Sequence, residues 1–219
     1  MSPSDRGPVW DWPVRVIHWY FPLAIAFMWW SGEEGEMVWH SWCGYSLLIA
    51  ALTRIAWGFV GSYHARFSNF MRGPGAVWAY LKGRPYSEAG HNPIGGWSTL
   101  ILLLLVVLQA SSGLFSNDDI AFEGPLSYWA GDLSSTITEL HELNWTVLSA
   151  LIVLHVGAIL FYRVIKKQDL IKAMINGGRD HITREVAPPS AVWALVIASF
   201  LGLLLYSIIV IAPETPSYY

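Results

Sequence analysis

The sequence predicts an all-α membrane protein, a transmembrane helical bundle with a four-helix core and a fifth, C-terminal helix. Three observations predict it. Of 219 residues, 54% are hydrophobic and only 13% charged, with a mean hydropathy of +0.41, too apolar for an ordinary soluble domain. The apolar residues gather into five segments of membrane-crossing length. The lysines and arginines collect in alternate connections between those segments.

The first span runs from Pro13 to about Trp30, after Asp11 and Trp12 and before Ser31 and Gly32, and carries His18 in its second turn. The residues ahead of it lack the uninterrupted apolar region and small-residue cleavage site of a signal peptide, so this segment is expected to remain as a helix. The second, Met37 to about Val60, follows the acidic turn Glu33, Glu34, Gly35, Glu36 and carries His40 near its start. The third, Ile94 to about Phe115, contains the run Ile101 to Leu108, has no histidine and reads as a packing helix. The fourth, Thr138 to about Ile165, holds His141 in its first turns and His155 further along. The fifth, Ala191 to Ile211, follows Pro188 and Pro189, is purely apolar, and suits an anchor or a helix facing a partner. Between the second and third spans, Gly75 to Leu81 is expected to form a short interfacial helix with Trp78 and Tyr80 at headgroup level.

Basic residues orient the bundle in the inner membrane. Arg6 precedes the first span; Arg66, Arg72, Lys82 and Arg84 lie in the second connection; Arg163, Lys166, Lys167, Lys172, Arg179 and Arg184 lie in the fourth. These segments are expected on the cytoplasmic side, with the N-terminus. The first connection (Glu33, Glu34, Glu36), the third (Asp118, Asp119, Glu123, Asp132, Glu139) and the C-terminal tail (Glu214) carry no lysine or arginine and are expected in the periplasm. With a net charge of -3 and no continuous basic stripe, nucleic-acid binding has no support.

Orientation gives each histidine a depth. His18 lies toward the cytoplasmic side and His40 toward the periplasmic side; on the inward-running fourth span His141 is periplasmic and His155 deeper. Fourteen residues fall about 40° short of four helical turns, so His141 and His155 share one helix face about 21 Å apart. Imidazoles inside a membrane are costly unless paired with a metal, a charge or a polar group. A haem iron held by two neutral imidazoles takes one from each of two facing helices at matched depth. His40 with His141 then binds a periplasmic haem b, and His18 with His155 a cytoplasmic one. Zinc, the competing metal, needs ligands grouped more closely, often with thiolates or carboxylates. The single cysteine, Cys43, excludes an internal disulfide and a CxxCH haem attachment, and reads as core filling.

Several neighbours fit porphyrins while admitting plainer roles. Gly44, one turn after His40, and Gly157, two residues after His155, suit either a flat macrocycle near the backbone or helix packing. Arg54 shares the face of His40 about four turns deeper, and Arg15 lies three residues before His18. Each suits either a haem propionate or a lipid phosphate. The thirteen tryptophans lie mostly near span ends, as an interfacial belt requires.

The stretch Trp12 to Trp19 (Trp-Pro-Val-Arg-Val-Ile-His-Trp), His40 with Gly44, Gly90-His91-Asn92-Pro93-Ile94-Gly95, Leu140-His141-Glu142 and Leu154-His155-Val156-Gly157 together resemble the bacterial cytochrome b561 family. That family includes the b-type cytochrome subunits of membrane-bound nickel-iron hydrogenases. The resemblance covers about Val9 to Ile175. It implies a helical bundle holding two b haems on His18, His40, His141 and His155, and electron exchange with the quinone pool. His91, at the expected cytoplasmic interface, suits hydrogen bonding to a quinone carbonyl or carrying a proton; its plain role is to cap the third span or bond a loop carbonyl. His64 and His181 lie in polar loops and are expected to be solvated.

The main reading is a di-haem b-type cytochrome that carries electrons between a periplasmic cytochrome c or redox-enzyme subunit and membrane quinone. Residues 1–175 form the haem domain, and 176–219 a cytoplasmic linker with the fifth helix. An enzymatic alternative, superoxide:quinone oxidoreductase, is permitted by the resemblance, yet the acidic periplasmic loops would repel an anionic substrate and steer in a basic protein. A haem-containing membrane anchor is a further alternative, which leaves ligands at two depths unexplained. The tryptophan-rich surface and apolar fifth helix would suit a homodimer or larger complex.

Overall fold

The computed structural model describes residues 8–86, 90–118, 122–178 and 189–213. Arg6, Asp119, Arg179, His181, Arg184 and Glu214 lie outside the described residues. In chain order the helices are α1 (Trp12–Glu33), α2 (Met37–Val60), α3 (Phe67–Phe70), α4 (Pro74–Leu81), α5 (Pro93–Phe115), α6 (Ser127–Ala130), α7 (Ser134–Val164), α8 (Leu170–Asn176) and α9 (Val192–Ile211). Among the described residues there is no strand, only an isolated bridge between Asn117 and Glu123.

The long helices begin where capping chemistry allows. Asp11 caps α1, its Oδ1 accepting from Val14 N at 2.9 Å, and Pro13 occupies the first turn, where no donor is needed. Asn92 caps α5 in the same way, accepting from Gly95 N at 2.7 Å ahead of Pro93. α7 starts four residues before the expected Thr138, because the 3-10 turn Gly131–Leu133 runs straight into it. At 31 residues it is about 46 Å long, so it projects beyond a hydrocarbon core of about 30 Å.

Four helices, α2, α5, α7 and α9, are long and apolar enough to cross a membrane, with mean hydropathies of 1.5, 2.1, 2.1 and 2.7. α1 is not among them. Its 22 residues give the length, but Trp12, Trp19, Tyr20, Trp29 and Trp30, with Arg15, His18 and two prolines, keep it less apolar than the others. The first expected span is therefore a helix of spanning length and mixed polarity.

α2 is the central helix. It packs on α1, α5 and α9, and α5 packs on α7. Ala24, Leu47, Ala51, Val106 and Leu148 join α1, α2, α5 and α7 in one buried cluster. A second cluster ties the N-terminal segment to the end of α2: Val9, Trp10 and Val14 pack with Trp57, Ala65 and Ala194. Trp57 is 1% exposed and donates its indole N–H to Asp11 Oδ2 at 2.8 Å. One carboxylate thus caps α1 and fastens it to α2. Beside it, α2 comes so close to α3 that a Cβ on Gly58 would sit 2.1 Å from the Phe67 ring, which leaves room for glycine alone.

Candidate haem-binding site

A cavity of about 1560 Å³ opens between α1, α5, α7, α8 and the connection before α5. It exceeds the roughly 300–1,000 Å³ of ordinary small-molecule pockets, large enough for a macrocycle with volume to spare. Its walls are mostly apolar, and its polar groups include His18, Arg54, His91, Asn92 and His155.

His18 comes from α1 and His155 from α7. The ring of His18 lies edge-on to Trp19 at 5.4 Å, and its Nδ1 is buried without a hydrogen-bond partner. His155 makes no hydrogen bond to a described residue. Pro22, four residues after His18, removes the backbone donor that would have bonded the His18 carbonyl. A buried imidazole nitrogen with no partner, such as His18 Nδ1, is costly. With the half-buried His155 on another wall of the same apolar cavity, His18 could hold a porphyrin iron. Among the described residues no three His, Cys, Asp or Glu side chains cluster to hold a bare metal ion.

His40 and His141 do not line this cavity; each sits at a helix seam. His40 Nδ1 lies 3.0 Å from the Met28 carbonyl and 3.2 Å from Ser31 Oγ, both on α1. A ligating histidine is oriented in this way, its second ring N–H donated to a carbonyl and Nε2 left for the metal. His141 donates from Nδ1 to Ser112 Oγ at 2.9 Å, since that hydroxyl itself donates to the Gln109 carbonyl. Its Nε2 accepts from the Gln109 amide at 2.9 Å, and Asn144 Nδ2 donates to Gln109 Oε1 at 2.6 Å. Iron at Nε2 would have to displace Gln109. His40 lies within electrostatic range of His141, as His155 does of His18.

The other expected residues divide sharply. Arg54 is buried on the cavity wall, donating to the Ala65 carbonyl at 3.4 Å and lying 5.6 Å over the Phe67 ring. Arg15 faces away from the large cavity: its guanidinium bonds the Met174 and Ile175 carbonyls of α8 and lies 4.7 Å over Trp12. It fastens α8 to α1. A Cβ on Gly44 would touch Met28 at 3.5 Å, ordinary packing, whereas Gly157 faces open space off the cavity wall. His64, half-buried beside Tyr63 and Gly90, is less solvated than expected, and His181 lies outside the described residues. His91 lines the cavity, its ring 4.7 Å from Trp10 and 4.4 Å from Phe70. Burial, followed by the Arg54 charge, pushes its pKa down to about 3 and keeps it neutral.

A polar cluster at the cavity's edge went unnoticed in the sequence. Tyr80 of α4 and Tyr162 of α7 join hydroxyls, and Asn92 Nδ2 donates to Tyr162 Oη at 2.9 Å. Burial and the Tyr162 hydroxyl push the Tyr80 pKa up to about 12, so it stays protonated. The only local signal is Asn92 ahead of Pro93.

The family model described as prokaryotic cytochrome b561 matches residues 9–177, which contain all four of these histidines. The chain belongs to the prokaryotic cytochrome b561 family. It is accordingly a membrane b-type cytochrome, an electron-transport protein carrying haem b. The chain is 27% identical to "Probable Ni/Fe-hydrogenase 1 B-type cytochrome subunit" of Escherichia coli strain K12, over 79% of this chain and 90% of that one. It is 23% identical to "Probable Ni/Fe-hydrogenase B-type cytochrome subunit" of Bradyrhizobium diazoefficiens, over 78% and 85%. The similarly named Cupriavidus necator protein is 25% identical over 78% and 86%. No solved structure matches significantly.

Proposed function

We propose that this b561-family protein links a periplasmic redox enzyme to membrane quinone, with His18 and His155 holding one haem b and His40 and His141 a second. The observation that carries the reading is the pair His18 and His155 on the walls of one apolar cavity, with His18 Nδ1 buried and unpartnered. Bound haem supplies reversible one-electron chemistry. The chain supplies ligands, burial and orientation: Met28 and Ser31 fix the His40 ring, and Ser112 fixes the tautomer of His141. The spare cavity volume beside Tyr80, Tyr162 and Asn92 offers hydroxyl and amide donors to a quinone carbonyl. Basic residues beside this end, Arg84 and Lys166, set it toward the cytoplasm, with the N-terminus, and the acidic connections toward the periplasm. α1 joins the four apolar helices as a fifth crossing, and 176–219 supplies a cytoplasmic linker and α9 beside the haem domain 1–175. The relatives' names make a nickel-iron hydrogenase the first partner to test.

Proteoliposomes holding the loaded protein provide the experiment. A quinol is expected to reduce the haem, seen as the reduced α-band, and a cationic cytochrome c is expected to reoxidise it from the acidic face. That reoxidation should slow as salt rises from about 0.01 to 0.1 M and the Debye length shrinks from about 30 to 10 Å. Absence of quinol reduction in fully loaded protein would overturn the quinone link; a rate indifferent to salt would overturn the acidic docking face.

A further inference from the structure

Two side chains on the cavity wall lack adequate partners. Arg54, 4% exposed, has one long hydrogen bond to the Ala65 carbonyl and the face of Phe67. Asp11 is the carboxylate whose field reaches it, yet both Asp11 oxygens are already engaged, Oδ1 by Val14 N at 2.9 Å and Oδ2 by Trp57 Nε1 at 2.8 Å. His91 is clamped between Trp10 and Phe70, and its Nδ1 is buried with no hydrogen bond. Both side chains line the cavity that holds His18 and His155.

A buried guanidinium with no carboxylate in direct hydrogen-bond contact calls for a closer anion, and a buried ring nitrogen calls for a hydrogen-bond partner. A carboxylate answers both, because it accepts from each and forms the stronger, charge-assisted bond with arginine. A neutral quinone carbonyl would bring no negative charge beyond the field of Asp11 that already reaches Arg54. We propose that Arg54 and His91 together hold the propionate carboxylates of the haem taken up between His18 and His155. The guanidinium brings charge, and the imidazole brings an N–H whose direction Trp10 and Phe70 fix. His91 is then a cofactor-positioning residue. The inference rests on the reading that His18 and His155 hold a haem.

The test reconstitutes apo-protein with haem b or with its dimethyl ester, in which both propionates are masked, and measures retention of each by absorbance. A His40→Ala background leaves the large cavity alone to be read. The parent is expected to retain the free acid at least tenfold better than the ester. His91→Ala and Arg54→Gln should each cut that preference about tenfold, and His91→Gln, which keeps an N–H donor, should restore most of it. Equal retention of acid and ester by the parent overturns the proposal whatever the variants do, as does an unchanged preference in folded His91→Ala. Adding His18→Ala distinguishes the underlying reading: that variant must lose the haem, and if it keeps it, the ligation itself is wrong.

Discussion

His155→Ala is expected to empty the large cavity of its proposed haem while leaving the proposed second haem in place. The imidazole of His155 enters that cavity from α7, and His18 faces the same space from α1. With His155 gone, His18 alone would be left of the two residues proposed to hold the haem there. His40 and His141 touch neither residue; their hydrogen bonds run to Met28 and Ser31 on α1 and to Gln109 and Ser112 on α5. The readout is haem per chain with a reduced-minus-oxidised spectrum, and half the haem should vanish together with one spectral component. Loss of both haems with the helical content intact would show that the two sites are not independent. Retention of both would remove His155 from the ligand set.

Trp57→Ala is expected to cost about 3–5 kcal/mol of stability, the range for deleting a large buried aromatic side chain. Trp57 is the largest fully buried side chain, packed with Val9, Trp10, Val14, Ala65 and Ala194, so the void cannot be filled from the surface. The same substitution takes the indole donor from Asp11, a carboxylate 7% exposed beside Arg54. Asp11→Ala should cost less, about 2–4 kcal/mol, combining the lost α1 cap with an unsatisfied Trp57 N–H. Thermal unfolding in detergent followed by circular dichroism gives the order. A Trp57→Ala protein as stable as the parent would mean that α1 is not fastened to α2 through this corner.

The elements were largely legible because hydropathy and capping agree. Met37 to Val60 is a helix with the expected bounds, while α5 begins at Pro93, one residue before the expected Ile94, and is capped by Asn92 instead of His91. α1 differs because its tryptophans and tyrosine, suited to an interface and a cofactor wall, lower the very hydropathy by which a span is recognised. The third span, expected only to pack, supplies Gln109 and Ser112 to His141. Nothing local could have shown this, since those side chains meet the ring only in the register that α5 and α7 adopt. Arg15, three residues before His18, and Arg54, on the face of His40 about four turns deeper, each suited either a haem propionate or a lipid phosphate in the sequence. The docking of α8 separates them by giving Arg15 backbone carbonyls and leaving Arg54 on the cavity wall. The cage of Trp10 and Phe70 around His91 likewise depends on segments that meet only after folding.

The most direct measurement is haem per chain by pyridine haemochrome for the purified protein and for alanine variants of His18, His40, His141 and His155. The proposed arrangement requires two b haems in the parent, with His18 and His155 variants losing the same spectral component and His40 and His141 variants losing the other. One haem per chain, or components lost in any other pairing, would contradict it.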